Sequence, residues 1–292
     1  VDGASPRWQV APRTEQQVLE TLVLAGEHEL GVIPVGGATD LAVGYPPQRY
    51  DIALSTAALP AQVDVQAADM SVRVSASATL AQLQEALRSH GQFVPLLLAN
   101  AHKATIGGVI ASGRSGPLRF GYRGLRDLVL GMRTATPEGH LVRTGGCIVK
   151  NVAGYDFAKL HVGGRGTLGV VLEVTLRTYP LPPHSSTLVA AFAEEQDAHR
   201  AFERLMTSGL PLTMLDLLDP EACATVAGMP APSESWVLLL GADDAESVAE
   251  VTVTRARETC VNSGAATFAR LLGEDGARLR QVTSEATSEP GA

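Results

Sequence analysis

Two glycine turns of the same kind constrain this chain more than anything else in it. The first reads Val35-Gly36-Gly37-Ala38-Thr39-Asp40, and the second Thr105-Ile106-Gly107-Gly108-Val109-Ile110-Ala111-Ser112-Gly113. Each joins an apolar, strand-like run to a segment that begins a helix or a tight turn. Paired glycines admit positive φ and let the backbone approach a neighbour closely. Successive N–H groups in such a turn form a concavity that suits an anion. One such turn is equally a sharp bend. Two of them, far apart in sequence and both rich in hydroxyls, point to one diphosphate held from two sides.

The 292 residues suffice for two domains and a sizeable core. Apolar residues make up 45% and charged residues 18%, ordinary for a globular protein. The formal charge of −8 has its charges mixed along the chain, which argues against nucleic-acid binding, where a basic stripe is the usual footprint. No apolar run approaches the roughly 20 residues of a bilayer span. The first residues lack a basic-then-apolar signal pattern, so the expectation is a soluble, cytoplasmic protein. Cys147, Cys223 and Cys260 are widely spaced and form no C-x-x-C. An iron–sulfur cluster needs about four thiolates, so this chain is not expected to carry one by itself.

Apolar spacing predicts the elements. Thr14 and Gln17 form a candidate capping box. Val18, Leu19, Leu22, Val23 and Ala25 then recur at helical spacing, with an expected stop near Gly31. Val32–Val35 and Asp51–Ser55 are strand-like, and Val72, Val74, Ala76 and Ala78 alternate with polar residues as a half-buried strand does. Thr79 and Gln82 form a second box ahead of Leu80, Leu83 and Leu87, with Gly91 as a stop. A β-meander follows, with strands over 128–135, 141–144 and 168–179 and a short helix over 155–161. Pro180-Leu181-Pro182-Pro183-His184 is the best linker candidate. Beyond it, strands over 188–192 and 236–240 and helices over 194–207 and 245–263 suggest a small, open α+β module. The polar tail from Ser284 is expected to fray.

Several motif matches fail on context. Gly164-Arg165-Gly166-Thr167-Leu168-Gly169 fits G-x-G-x-x-G, but the dinucleotide fingerprint needs a strand before it and a helix after it. Here the order is reversed, and a tight turn feeding a strand, touching a ligand with its backbone at most, is the better reading. Gly108 through Ser115 nearly spells a Walker A loop, but Arg114 stands where a compact lysine charge is needed. The histidines form no H-x-x-x-H pair, so no zinc site is expected. His102 stands out only for its nearness to Thr105. Tyr155 and Asp156 read more readily as structural than as acid–base groups.

With these segments in place, the chain resembles the FAD-binding flavoproteins of the vanillyl-alcohol oxidase / p-cresol methylhydroxylase (PCMH) type. Gly36 to Asp40 matches that family's first loop. Thr105 to Gly116 matches its T-(I/V)-G-G-x-x-A-(T/S) loop, and Gly166 to Val174 its G-(T/S)-L-G strand. Ser115-Gly116-Pro117, the Arg126-Asp127 pair and Lys150-Asn151-Val152-Ala153-Gly154-Tyr155-Asp156 resemble the branch that holds the smaller flavin subunit of bacterial glycolate oxidase. The fold this implies is α+β: a PCMH-type FAD-binding domain over 1–180, with subdomains of about 1–60 and 61–180, then a small cap-like α+β module over 181–292.

The resemblance also implies roles. Val35, Gly36, Gly37, Ala38 and Thr39 hold the FAD pyrophosphate, with Asp40 fixing the loop. Thr105, Gly107 and Gly108 approach from the other side, so that Gly107→Val is expected to abolish flavin binding. Ala111, Ser112 and Gly116 lie toward the flavin, Pro95 and Leu96 line it, and the Val171 backbone meets the adenine. Ala38 stands where the family often has a third glycine and is expected to keep negative φ. The first loop has no histidine, so the FAD is expected to be non-covalent. Only His184 and His199 occur after the linker, without clustered acids, so no metal and no catalytic residue are assigned. The short C-terminal part is compatible with a truncated chain.

The implied function is that of an FAD-binding subunit of a glycolate / D-2-hydroxy-acid dehydrogenase complex. Its implied partners are a related larger flavin subunit and an iron–sulfur subunit, which would also make any contact with the inner membrane. Two alternatives stand beside it: a self-sufficient D-lactate or glycolate dehydrogenase, and an assembly subunit with a vestigial flavin site.

Overall fold

The computed structural model describes residues 5–42, 45–146 and 157–286. Cys147, the motif from Lys150 to Asp156 and the residues from 287 onward lie outside the described residues. The described residues divide into two compact units. The first gathers those of Val1–Val94, Asn100–Arg114 and Leu125–Pro180; the second gathers those of Pro95–Ala99, Ser115–Gly124 and Leu181–Ala292.

In the first unit, β1 (Trp8–Val10) leads into α1 (Glu15–Glu27). Thr14 caps α1, its hydroxyl accepting from the Gln17 N–H at 3.2 Å. The reciprocal half of the box is missing, because Gln17 Oε1 accepts from the Arg13 N–H at 2.7 Å instead. α1 stops short of Gly31: Glu29 adopts φ +51°, which already breaks the helix. β2 (Val32–Val35) and β3 (Ile52–Ser55) then form a parallel sheet with β1, in the order β1-β3-β2. Val18 and Leu22 of α1 pack with Leu54, Leu59, Ala135, Val170 and Leu172 in one core cluster.

β4 (Val63–Gln66) and β5 (Ser71–Ser75) precede α2 (Leu80–Arg88). Here the capping box is complete. Gln82 N–H donates to Thr79 Oγ1 at 3.2 Å, and Thr79 N–H to Gln82 Oε1 at 2.9 Å. β6 (Gln92–Phe93) and α3 (Ile106–Ser112) follow, then two short helices, α4 (Arg119–Tyr122) and α5 (Leu125–Leu128). Leu128 therefore closes a helical turn, and β7 (Val129–Ala135) starts one residue later than expected. β8 (Leu141–Gly145), α6 (Ala158–His161), β9 (Val170–Arg177) and β10 (Tyr179–Pro180) complete this stretch. β4-β5-β9-β7-β8 is an antiparallel sheet.

The second unit is built on β11 (His184–Phe192), α7 (Glu195–Thr207), β12 (Met214–Leu218), α8 (Pro220–Thr225), β13 (Trp236–Asp244), α9 (Glu246–Val261), β14 (Thr267–Leu272) and α10 (Gly273–Ala286). Its antiparallel sheet runs β12-β13-β11-β14. Leu188, Ala190, Phe192, Leu238 and Leu240 share one face by strand alternation, and pack with Ala201 and Leu205 of α7 and Ala249 and Ala256 of α9. Burying a side chain such as Phe192 stabilises by about 1.5–3 kcal/mol. Of the tail expected to fray, the first residues belong to α10: Ser284 is buried there, and its Oγ donates to Leu97 O at 3.2 Å, while the rest lies outside the described residues. No helix among the described residues is long and apolar enough to cross a membrane.

Asp216 on β12 is half-buried, and burial pushes its carboxyl up to about 6, opposed by the Arg119 charge. The folded chain thus holds a proton at this site that the unfolded chain has released, and stability is lost as pH rises from about 4 to about 6. Asp216→Asn is expected to stabilise the chain by on the order of 2 kcal/mol above pH 6 and to give no gain below pH 4. Urea unfolding of the pair at pH 4 and pH 7.5 (about two titration ranges apart) checks this.

Candidate functional site

A cleft of about 320 Å³ in the first unit is lined by Gly36, Gly37, Ala38, Thr39 and Asp40 after β2, by Gly108, Ala111 and Ser112 of α3, and by Arg165, Gly166 and Thr167 before β9. A second cleft of about 50 Å³ shares Gly36, Gly108, Ala111, Arg165 and Gly166 with it and adds Val35, Gly107 and Val171. The structure thus brings Val35 to Asp40, Gly107, Gly108, Ala111, Ser112 and Val171 together. Thr105 supports the cleft rather than lining it. Pro95, Leu96 and Gly116 belong to the second unit and line neither cleft. There, Gly116 at φ +69° sits where a Cβ would strike the Leu97 carbonyl. His102 is exposed and outside both clefts.

The two glycine segments differ in kind. The second is the first turn of α3, capped by Thr105, whose Oγ1 accepts from the Gly108 N–H at 3.4 Å. The Gly107 N–H is bonded to Ala76 O at 2.9 Å, and a Cβ on Gly107 would lie 2.9 Å from Ala76 Cβ. Gly107 is therefore needed for packing against the end of β5. Gly108 faces the cleft, and a Cβ there would meet only Thr105 Oγ1 within 4 Å, at 3.3 Å.

The first segment is an open turn. A Cβ on Gly36 would strike Thr105 Oγ1, and one on Gly37 the Lys103 carbonyl, so these glycines let two loops touch. The N–H groups of Gly36, Gly37, Ala38 and Thr39 have no partner among the described residues. Asp40 is held by Arg114, whose Nη1 donates to Asp40 Oδ1 at 2.6 Å. This ion pair joins the end of the first turn to the end of α3, and gives Arg114 a role that the Walker A comparison could not. A row of bare N–H groups on a turn clamped at both ends fits an anionic diphosphate.

Ala38 corrects one expectation. Its φ is +57°, not negative. The turn requires the left-handed region, and the alanine takes it at a cost of about 1–2 kcal/mol. Ala38→Gly is expected to raise the stability of the chain by about 0.5–1 kcal/mol, the relief of strain being partly offset by the looser unfolded chain. Thermal melting of the two proteins side by side measures it.

A third turn, read from the sequence as a tight turn whose backbone touches a ligand at most, lies beside the first two. Gly163 N–H donates to Ile110 O at 2.9 Å and Arg165 N–H to Ala111 O at 2.8 Å, which stitches residues 163–166 to the end of α3. Arg165 takes φ +51° and Gly166 φ +74°. The segment is a tight turn feeding β9, and Arg165, Gly166 and Thr167 reach the cleft. Among the described residues, no three His, Cys, Asp or Glu side chains converge as a metal cage. Cys223 and Cys260 are buried free thiols. Burial pushes them up to about 11 and about 12, the Asp219 charge adding to the first, so neither is a ready nucleophile.

Residues 6–145 match the family described as "FAD binding domain", and residues 181–289 match "FAD linked oxidases, C-terminal domain". The chain belongs to the PCMH-type FAD-linked flavoproteins. Its cofactor is FAD. This flavoprotein is 32% identical over 210 residues to the mitochondrial D-lactate dehydrogenase (cytochrome) of Arabidopsis thaliana, a match covering 72% of this chain and 37% of that one. It is 26% identical over 247 residues to glycolate oxidase subunit GlcD of Bacillus subtilis, covering 81% of this chain and 53% of that one. The flavoprotein thus spans between about a third and just over half of these relatives' lengths. An alkyldihydroxyacetonephosphate synthase structure superposes with a TM-score of 0.75 at 19% identity, covering 94% of this chain and 55% of that one, which shows a shared fold.

Proposed function

We propose that this chain is the FAD-binding subunit of a glycolate or D-2-hydroxy-acid dehydrogenase complex, where it takes part in flavin-mediated electron transfer. The observation that carries the reading is the cleft in which the unpartnered N–H groups of Gly36, Gly37, Ala38 and Thr39 lie opposite Gly108. Relatives named glycolate oxidase subunit and D-lactate dehydrogenase support the substrate class.

FAD, when bound, supplies the two-electron chemistry; the protein binds and orients it. The first-turn N–H groups donate to the pyrophosphate oxygens, and Arg114 keeps Asp40 and the turn in place. Gly108, with Thr105 and Gly107 behind it, lets the backbone of α3 come close to the pyrophosphate. Ala111 and Ser112 border the same space, and the Val171 backbone meets the adenine. The partners in this reading are a larger flavin subunit and an iron–sulfur subunit.

The test starts from the purified chain incubated with FAD and desalted. Retained flavin absorbance is expected, and a colourless chain would falsify the reading. The flavin-loaded chain is next mixed anaerobically with glycolate or D-lactate. No bleaching is expected from the chain alone, and bleaching is expected once the two partner subunits are added. Bleaching without partners would replace the subunit by a self-sufficient dehydrogenase.

A further inference from the structure

The larger cleft has two unlike linings. One is the polar turn from Gly36 to Asp40. The other is an apolar wall, with Val32, Ile33 and Pro34 from β2 and Leu41, Tyr45 and Pro47 from the segment after the turn. All four residues of β2 are only half-buried, whereas Ile52, Ala53 and Leu54 of the neighbouring β3 are buried. Tyr45 is the outlier in this wall. It is 99% exposed, while no other large apolar side chain among the described residues exceeds 55%. An apolar side chain exposed singly is ordinary. This one stands on the lining of the cleft, and no described residue covers its ring.

From this, and resting on the flavin-binding reading above, we infer that Tyr45 stacks on the isoalloxazine ring of bound FAD and holds it beside the apolar wall. FAD carries two flat rings, one on each side of its diphosphate. With the diphosphate at the N–H groups of Gly36 to Thr39, one ring enters the larger cleft beside this wall. In the same reading the adenine meets Val171, which lines the smaller cleft but not the larger. The isoalloxazine therefore takes the side of Tyr45. A tyrosine suits the task, because it offers a large, flat, apolar face and few rotatable bonds. Offset aromatic pairs also attract beyond what burial of their area contributes. The isoalloxazine is electron-poor and the phenol electron-rich, which favours that contact further.

The test compares wild type, Tyr45→Ala and Tyr45→Phe as full chains freed of flavin. Each is titrated with FAD, the fluorescence of the bound flavin is read, and the flavin-free chain is melted. A phenol in contact with an isoalloxazine quenches its emission, and a phenyl ring does so far less. Tyr45→Ala is expected to weaken FAD binding roughly tenfold and, the side chain being exposed, to melt with wild type. Tyr45→Phe is expected to keep the affinity and to brighten the bound flavin. Wild-type affinity in Tyr45→Ala would overturn the inference while leaving the flavin reading intact. Weakened binding in Tyr45→Ala with unchanged emission in Tyr45→Phe would overturn it too, since the ring on Tyr45 would then not be the isoalloxazine. A lowered melting temperature of flavin-free Tyr45→Ala would do the same, because the residue would be supporting the fold rather than the ligand. Failure of wild type to bind FAD would remove both.

Discussion

Arg280→Met is expected to destabilise the second unit by about 3–5 kcal/mol at neutral pH, because it leaves a buried carboxylate without its cation. The side chains of Arg280 and Asp243 are 6% and 5% exposed, and Arg280 Nη1 donates to Asp243 Oδ2 at 2.7 Å. Every arm of the guanidinium is used. Nε donates to Thr187 Oγ1 at 2.8 Å and Nη2 to Ser186 O at 2.7 Å. The carboxylate also accepts from Ser185 Oγ and Thr213 Oγ1, both at 2.6 Å. Gly241 makes the room, since a Cβ there would lie 3.0 Å from Arg280 Cζ. The network ties α10 to β11 and β13.

Burial pushes the Asp243 carboxyl up, but the Arg280 hydrogen bond and charge, with Ser185 and Thr213, hold it below its ordinary value of 3.8. A carboxylate lowered in the folded state contributes stability that is present above the unfolded value and lost as pH falls through the folded one. Without Arg280, burial is left to raise the Asp243 carboxyl, so the penalty of Arg280→Met should begin to shrink as pH falls through that raised value and shrink further as the wild-type pair is protonated below its ordinary value of 3.8. Trp236 on β13 provides a fluorescence signal from this unit during urea unfolding. Arg280→Met with Asp243→Leu should recover most of the loss, because an apolar pair removes the stranded charge. A single variant as stable as wild type would mean that the pair is not needed for stability.

The same network shows why the second half was hard to read. α10 buries Arg280, Thr283 and Ser284 beside Leu279, so a search for an apolar stripe passes over it. β14 is an edge strand with an exposed and half-exposed pattern, and β12 has Asp216 in the middle of an apolar run. By contrast, α2 and α7 carry strong local signals, an N-terminal box in one and regular apolar spacing in the other; α2 starts at Leu80 as its box predicts, though it ends at Arg88, ahead of Gly91, and α7 lies within a residue of its expected bounds. In the candidate site, chain order revealed the glycines but not what they touch. Gly36, Gly37 and Gly107 are dictated by contacts with Thr105, Lys103 and Ala76, which only folding brings near. Ala38 and Arg165 were hidden for a related reason, since neither residue type signals a left-handed backbone.

Those contacts decide how the glycines should be tested. Gly108→Val is expected to fold normally and to lose FAD affinity by about a hundredfold or more, equivalent to a clash of about 3 kcal/mol with the ligand. A Cβ there meets Thr105 Oγ1 at 3.3 Å, and Gly108 lines the cleft, so the added bulk is expected to enter the ligand's space. Gly37→Val is expected to lose FAD as well, but together with about 1–3 kcal/mol of stability, because the side chain drives into the Lys103 carbonyl and lifts the first turn away from residues 103–105. Gly107→Val belongs with Gly37→Val, since it presses on Ala76 Cβ at 2.9 Å, and a loss of flavin there would not separate ligand contact from packing. Retention of FAD on desalting, read beside the melting temperature of the flavin-free chain, distinguishes the two classes. Gly108→Val that still retains FAD would mean that the flavin does not approach α3 at this residue. Gly37→Val that melts with wild type would mean that the first turn is free to move, and the row of N–H groups from Gly36 to Thr39 would then not be a prebuilt cradle but one that the diphosphate itself must assemble.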